Sequence, residues 1–425
     1  MALLLALLLI LFLIGVPIFI SMGIASLAHS IVNHVSVVSL FQQMVRGVDS
    51  FTIVSVPAFI LSANIMNESG ITNRLFNFAN CLVGHIRGGL AHTNVMASVI
   101  FAGMSGSAIA DAGGLGSIEI KAMRDSGFSS EFSSAITAAS AIIGPIIPPS
   151  IPMVLYAASG NVSVGRLFLA GFMPGILMAI TQMIIIYHIA KKRDYPSCER
   201  ASSKQIWVSF KESFWALLSP VILLGGIFSG IFTPTEAAAI SVVYSLIVAK
   251  FIYKEFDWKR MYQVLNESLQ STAIIGIIIA FSFGLGYLLT LSQLPQHAAE
   301  LLCGITTNPL LILLILNAFF LLVGMFMDPS ASILILTPIL MPVIHQVGID
   351  PVHFGLVMVL NLMIGMVTPP VGTALYAVAR VGNVTVENLL KELTPFFISL
   401  VVVLMLITFF PGLITILPDL FMGKG

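Results

Sequence analysis

Residues 101–120 read FAGMSGSAIADAGGLGSIEI and residues 322–337 read LVGMFMDPSASILILT. In the first stretch five glycines and three serines stand beside Asp111. Glycine costs a helix interior about 1 kcal/mol relative to alanine, so a continuous helix is poorly supported here. An irregular turn at Met104–Ser107 would expose backbone and hydroxyl oxygens. A bilayer tolerates such a turn only where protein or a watery cavity covers it. Residues of about 88–121 therefore read as a re-entrant helical hairpin with its tip near mid-membrane. The second stretch reads likewise, as a hairpin over about 309–344 whose tip is Met325–Ser332. There Pro329 opens the returning helix and Asp328 caps it.

The two stretches are copies. Gly103-Met104 aligns with Gly324-Met325, Gly127 with Gly348, Gly144 with Gly365 and Pro148-Pro149 with Pro369-Pro370, all at one offset. After one-residue shifts, Leu155-Tyr156-Ala157 matches Leu375-Tyr376-Ala377, and Gly160-Asn161-Val162 matches Gly382-Asn383-Val384. Charge orients the copies. Arg87, Lys121 and Arg124 flank the first, whereas Asn308, His345, Asp350 and His353 flank the second without Lys or Arg. By the positive-inside rule the first opens to the cytoplasm and the second to the outside. The chain reads as an inverted repeat, the architecture of secondary transporters. The first repeat is 1–190, a basic loop with a connecting helix is 191–234, and the second repeat is 235–425.

Each hairpin precedes a helix carrying a double proline, over about 131–157 and 352–379. Proline lacks the amide hydrogen and clashes with the carbonyl four residues back, so these helices break and free carbonyls near Gly144 and Gly365. Broken helices facing hairpin tips would make two oxygen cages suited to a hard cation such as sodium. The alternative is that Gly and Pro merely permit close packing and kinks. Asp111 and Asp328 likewise have two readings, charge balance for a cation or helix capping. They are not equivalent positions, because the repeat places Ser332 opposite Asp111.

Composition agrees with a polytopic all-α membrane protein. The 425 residues are 58% hydrophobic and 9% charged, with mean hydropathy +1.03 and 19 Lys+Arg against 19 Asp+Glu. A soluble domain carries about 25% charged residues, and neither disorder nor a nucleic-acid partner fits this balance. The three cysteines suggest no disulfide framework or metal site. The first basic residue is Arg46, so the N-terminus reads as an uncleaved membrane segment rather than a secretory signal. Basic connections at Lys191–Lys211 and Lys250–Arg260 are expected in the cytoplasm. Between them two helices meet at Thr233-Pro234, where Thr233 and Glu236 have the spacing of a capping box. Arg380 reads either as a guide for an anionic substrate or as an ordinary snorkelling residue.

GMSGSAIADAGGLG at 103–116, IIPPSIP at 146–152, FTPTEAAA at 232–239, MDPSAS at 327–332 and TPPVG at 368–372 together resemble the large membrane subunit of TRAP (tripartite ATP-independent periplasmic) transporters. The resemblance covers essentially the whole chain. It implies an elevator carrier, not an enzyme, in the bacterial inner membrane, with N-terminus cytoplasmic and C-terminus periplasmic. It implies sodium-driven uptake of an organic acid, of the sialic-acid class before C4-dicarboxylates, with sodium as coupling ion and no cofactor. A periplasmic substrate-binding protein would deliver the acid. A small membrane subunit is expected on a separate chain, since no further span precedes residue 1. Carried onto this chain, the first sodium site would involve Ser105, Ser107, Asp111, Gly144 and Pro145, and the second Gly324, Asp328, Gly365 and Thr368. The substrate would lie between the tips, near Ser105, Gly106, Ser107, Ser330, Thr373 and Arg380.

Two rivals differ in class. Gly103-Met104-Ser105-Gly106 also fits the Gly-x-Ser-Gly of rhomboid intramembrane proteases, which requires a base within reach of Ser105. A non-transporting scaffold would show no stabilisation by ligands. An ATP-driven pump is excluded by the absence of a phosphate-loop motif.

Overall fold

The computed structural model describes residues 2–423, and among these no strand occurs. Among the described residues seven helices are long and apolar enough to span a membrane, including Val164–Arg193, Ser203–Phe228, Trp258–Leu291 and Val386–Phe409. The charge-free N-terminal run is not one span. It divides into Ala2–Leu13, Ile18–Val32 and Val37–Val48, parted by Gly15-Val16-Pro17 and by Asn33–Ser36. Gly15 takes a positive φ of 86°, which Gly adopts without a Cβ penalty.

Both double-proline helices are interrupted. Ser130–Ser140 ends in a short 3₁₀ turn, and the chain re-enters helix at Ile151–Gly160. Pro351–Gly365 stops and resumes as Thr373–Gly382. Pro148 and Pro369 stand four residues after Gly144 and Gly365, so neither can donate the amide that a helix would supply to those carbonyls. The Gly365 carbonyl instead accepts from Thr368 N at 3.0 Å.

The interrupted helices form the centre of the molecule. Every residue from Val352 to Gly365 is buried, and a helix apolar on all faces belongs in a core. The helix Ile151–Gly160 locks against Pro351–Gly365 there. Gly355 has no side chain, and a Cβ on it would stand 2.3 Å from Cε1 of Tyr156. The Tyr156 hydroxyl donates to Pro351 O at 2.6 Å. A polar seam lies within the C-terminal half: Asn361 Nδ2 donates to Asn317 Oδ1 at 2.8 Å, and Asn317 Nδ2 to Thr408 Oγ1 at 2.9 Å.

The hairpin legs differ between the repeats. In the first, Asn94 Nδ2 donates to Glu119 Oε2 at 2.7 Å; these residues stand comparably far before and after the turn, so the legs run side by side. In the second, the returning helix Pro329–Val347 packs chiefly on Ile151–Gly160, Trp258–Leu291 and Leu294–Ile305 rather than on its partner leg Pro309–Phe326.

The turn between Ser203–Phe228 and Pro234–Ile247 holds the capping box: Glu236 N donates to Thr233 Oγ1 at 3.3 Å and Thr233 N to Glu236 Oε2 at 2.8 Å. Thr233→Ala is expected to cost about 1 kcal/mol of stability, read as a lower thermal-unfolding midpoint in detergent. An unchanged midpoint would show that the cap contributes nothing.

Candidate functional site

The first tip forms because Gly106 allows a left-handed turn. The helix Gly89–Ser105 ends there at φ +61°, and a Cβ on Gly106 would lie 2.4 Å from the Pro149 carbonyl oxygen. The tip therefore rests directly on the double-proline loop. Ser107 is extended, and its hydroxyl accepts from Ala110 N at 3.4 Å, restarting the helix. The Ser105 hydroxyl donates to Ser107 O at 3.3 Å.

The returning leg contains a π-helical turn, Asp111–Leu115, before Gly116–Asp125. Such wide turns concentrate at functional sites. Asp111 is 2% exposed, and neither carboxylate oxygen has a protein donor. Gly144 faces it, since a Cβ there would sit 3.1 Å from Asp111 Oδ2. The sequence-expected partners Asp111 and Gly144 are thus adjacent. An unpaired buried carboxylate is costly, a cost that either protonation or a bound cation would offset.

At the second tip the backbone becomes extended at Met327 and Asp328. Asp328 Oδ1 accepts from Ser330 N at 2.8 Å and Ala331 N at 3.4 Å, so this carboxylate is a helix cap. Gly324 and Gly365 meet backbone to backbone; a Cβ on Gly365 would stand 2.4 Å from the Gly324 carbonyl carbon. Val371 N donates to Met325 O at 3.2 Å, tying the second proline loop to its tip. The Thr368 hydroxyl is occupied, donating to Ile364 O at 2.8 Å.

Both tips open onto one cavity of about 390 Å³. Among the residues expected from sequence, Ser105, Gly106, Ser107, Pro145, Asp328 and Ser330 line it. Asp111, Gly144, Gly324, Gly365 and Thr368 are not part of the lining. Thr373 and Arg380 are exposed on the helix Thr373–Gly382 and are likewise outside the lining. The lining contains no Lys, Arg or His.

Sequence reading missed Glu119. It is 1% exposed, with Asn94 as donor to one oxygen and nothing bonded to the other. Asn94 also donates to Thr137 at 2.8 Å and accepts from Ser140 at 2.7 Å, both on the first broken helix. Its position in the hairpin leg was the available signal. Also missed was the cavity wall opposite the tips, made by the helices Ser55–Glu68 and Trp258–Leu291.

The protease alternative fails at Ser105, whose hydroxyl bonds a carbonyl and no histidine. His92, buried on the same helix, is thirteen residues back, about 20 Å along the axis.

Residues 5–413 match the family model for the DctM component of tripartite ATP-independent periplasmic transporters. The chain is 46% identical over 412 residues to the sialic acid TRAP transporter large permease SiaM of Vibrio cholerae, covering 97% of this chain and 96% of that protein. It is 44% identical to the sialic acid TRAP permease SiaT of Haemophilus influenzae, over 97% of this chain and 67% of that protein. To the C4-dicarboxylate large permease DctM of Pseudomonas aeruginosa it is 40% identical over 90% of each. Among solved structures, the YdaH transporter of Alcanivorax borkumensis superposes with a TM-score of 0.65 at 16% identity, covering 88% of both chains. Neisseria gonorrhoeae MtrF gives 0.55 at 13% identity, covering 88% of this chain and 84% of that one. These two share the fold.

The backbone contact at the second site makes a sharp comparison. Gly365→Ala is expected to destabilise by about 1–3 kcal/mol through overpacking. Gly113→Ala, with nothing within 4 Å of the added carbon, is expected to fall within about 0.5 kcal/mol of the parent. Equal thermal midpoints for the two variants would contradict the contact.

Proposed function

Because the chain belongs to the large-permease family of tripartite ATP-independent periplasmic transporters, whose members are membrane carriers and not enzymes, we propose that it imports an organic acid driven by sodium. The observation that carries this reading is the meeting of two tips, distant in sequence, around one cavity, with an unpartnered carboxylate against Gly144 behind it.

Charge supports sodium. An anionic substrate in this cavity finds no cationic side chain, and two bound cations would balance it and Asp111. The first ion is assigned to Ser105, Ser107, Asp111, Gly144 and Pro145, and the second to Gly324, Asp328, Gly365 and Thr368. The acid is assigned to the tips, at Ser105, Gly106, Ser107 and Ser330. Arg380 and Thr373 lie outside the cavity lining and are assigned to the path leading to it. The names of the relatives favour a sialic acid, with C4-dicarboxylates next.

The mechanism follows from linkage. Sodium drives uptake only if it binds the substrate-competent state more tightly than the empty or half-loaded states. Hairpins and broken helices, as the inverted repeats, would carry the cavity past the opposite wall in an elevator movement. The chain would work with a small permease and a periplasmic binding protein in the bacterial inner membrane, N-terminus in the cytoplasm and C-terminus in the periplasm.

Two sodium ions moving with a monoanion carry net positive charge inward, worth about 2.3 kcal/mol per charge per 100 mV. Uptake by the complete transporter in proteoliposomes is therefore expected to need sodium and to quicken with an inside-negative potassium-diffusion potential. Indifference to both would end this reading. Asn caps helices about as well as Asp, so Asp328→Asn keeps the cap and removes the charge. Asp111→Asn removes the other charge. Both variants are expected to lose sodium dependence while retaining folded yield, and parallel loss of yield would return the carboxylates to a purely architectural role.

A further inference from the structure

The cavity has a wall that belongs to neither tip nor broken helix. The helix Ser55–Glu68 turns Ile60, Ala63 and Asn64 toward it, and Trp258–Leu291 turns Ser271, Ile274 and Ile278. Each set has the spacing of one helix face. The wall is apolar except at one end, where Asn64 and Ser271 sit. Asn64 is held there: its Nδ2 donates to Ser268 Oγ at 2.9 Å, and Ser268 lies one turn before Ser271. That bond fixes the amide's orientation and uses one of its donors. Among the described residues its carbonyl oxygen and its second N–H make no bond, and neither does the Ser271 hydroxyl.

Resting on the carrier reading above, we propose that Asn64, with Ser271, is the specificity contact for the end of the substrate remote from its carboxylate. It selects a neutral end bearing hydroxyl or amide groups against a second carboxylate. The amide and hydroxyl present both donors and acceptors, which match a polyhydroxylated or N-acylated tail. A second carboxylate accepts only. It could accept from the second Asn64 N–H and the Ser271 hydroxyl, but it leaves the Asn64 carbonyl oxygen without a donor, and in a lining without Lys, Arg or His its charge has no cationic side chain to pair with, which is unfavourable. Discrimination arises from repulsion of the wrong acid as much as from attraction of the right one. At about 390 Å³ the cavity lies at the lower end of the range for small-molecule sites, enough for one acid and its tail.

The test is calorimetric titration of the purified large and small permease complex, without the binding protein, in sodium. The two probes are N-acetylneuraminate, a monocarboxylate with a polyhydroxylated N-acetyl tail, and succinate. The parent is expected to bind N-acetylneuraminate more tightly. Asn64→Leu is expected to weaken it about three- to tenfold, the scale of one net hydrogen bond, while narrowing its advantage over succinate and leaving sodium affinity unchanged. Ser271→Ala, which breaks no bond within the protein, is expected to act in the same direction and guards against misfolding of the first variant. Tighter binding of succinate by the parent, or equal weakening of both acids in the variants, overturns the proposal. Binding of neither acid by the parent in sodium refutes the carrier reading, and this proposal falls with it.

Discussion

An interrupted helix in a membrane protein exposes backbone groups that lipid cannot satisfy, and this molecule is arranged around four such interruptions. Each must be covered by protein or opened to a polar cavity. Coverage comes from pairing them. The first tip sits on the first double-proline loop, with no room for a carbon at Gly106 beside the Pro149 carbonyl. The second sits on the second loop through Gly324 against Gly365 and the bond from Val371 N to Met325 O. Glycine at these contacts is required by closeness of approach. The same pairing turns two separate backbone defects in each repeat into one oxygen-rich locus.

The two loci are not made alike. The first leaves a carboxylate bare, with Asp111 buried and no donor on either oxygen. The second uses its carboxylate as a helix cap and brings backbones into direct contact. Each locus thus carries one carboxylate, free of protein donors at Asp111 and used as a helix cap at Asp328. Both face a cavity whose lining has no basic residue, so any positive charge that meets an anionic ligand there is brought in as ions. On the proposed carrier reading, ion and acid would be coupled there by electrostatics without a long-range pathway.

Much of this was legible in the chain because helix breakers leave local marks. Gly106-Ser107 and Asp328-Pro329 announced the tips, Pro148-Pro149 and Pro369-Pro370 the interruptions, and Thr233 with Glu236 a cap that both predicted bonds confirm. What stayed hidden depends on tertiary placement. Asn64 and Ser271 sit in helices with nothing unusual in their sequence, and they share a wall only because those helices pack together. The π-helical turn at Asp111–Leu115 has no signature beyond glycines. In a regular helix residues 111 and 119 would lie about 80° apart, and one extra residue in the turn brings them to within about 20°, which is why Glu119 shares the buried face. Arg380 and Thr373 show the converse, expected near the substrate and found outside the cavity lining. Position in the repeat suggested a site, but their exposed face on Thr373–Gly382 lies away from the cavity.

Each paired interruption is proposed to hold a small cation. An experimental structure of the permease complex in sodium, with matched data in which thallium replaces it, tests this most directly. The account expects one anomalous peak between Asp111 and Gly144 and another beside Gly324 and Gly365. Empty density at both loci, or a protein cation paired with Asp111, would contradict it.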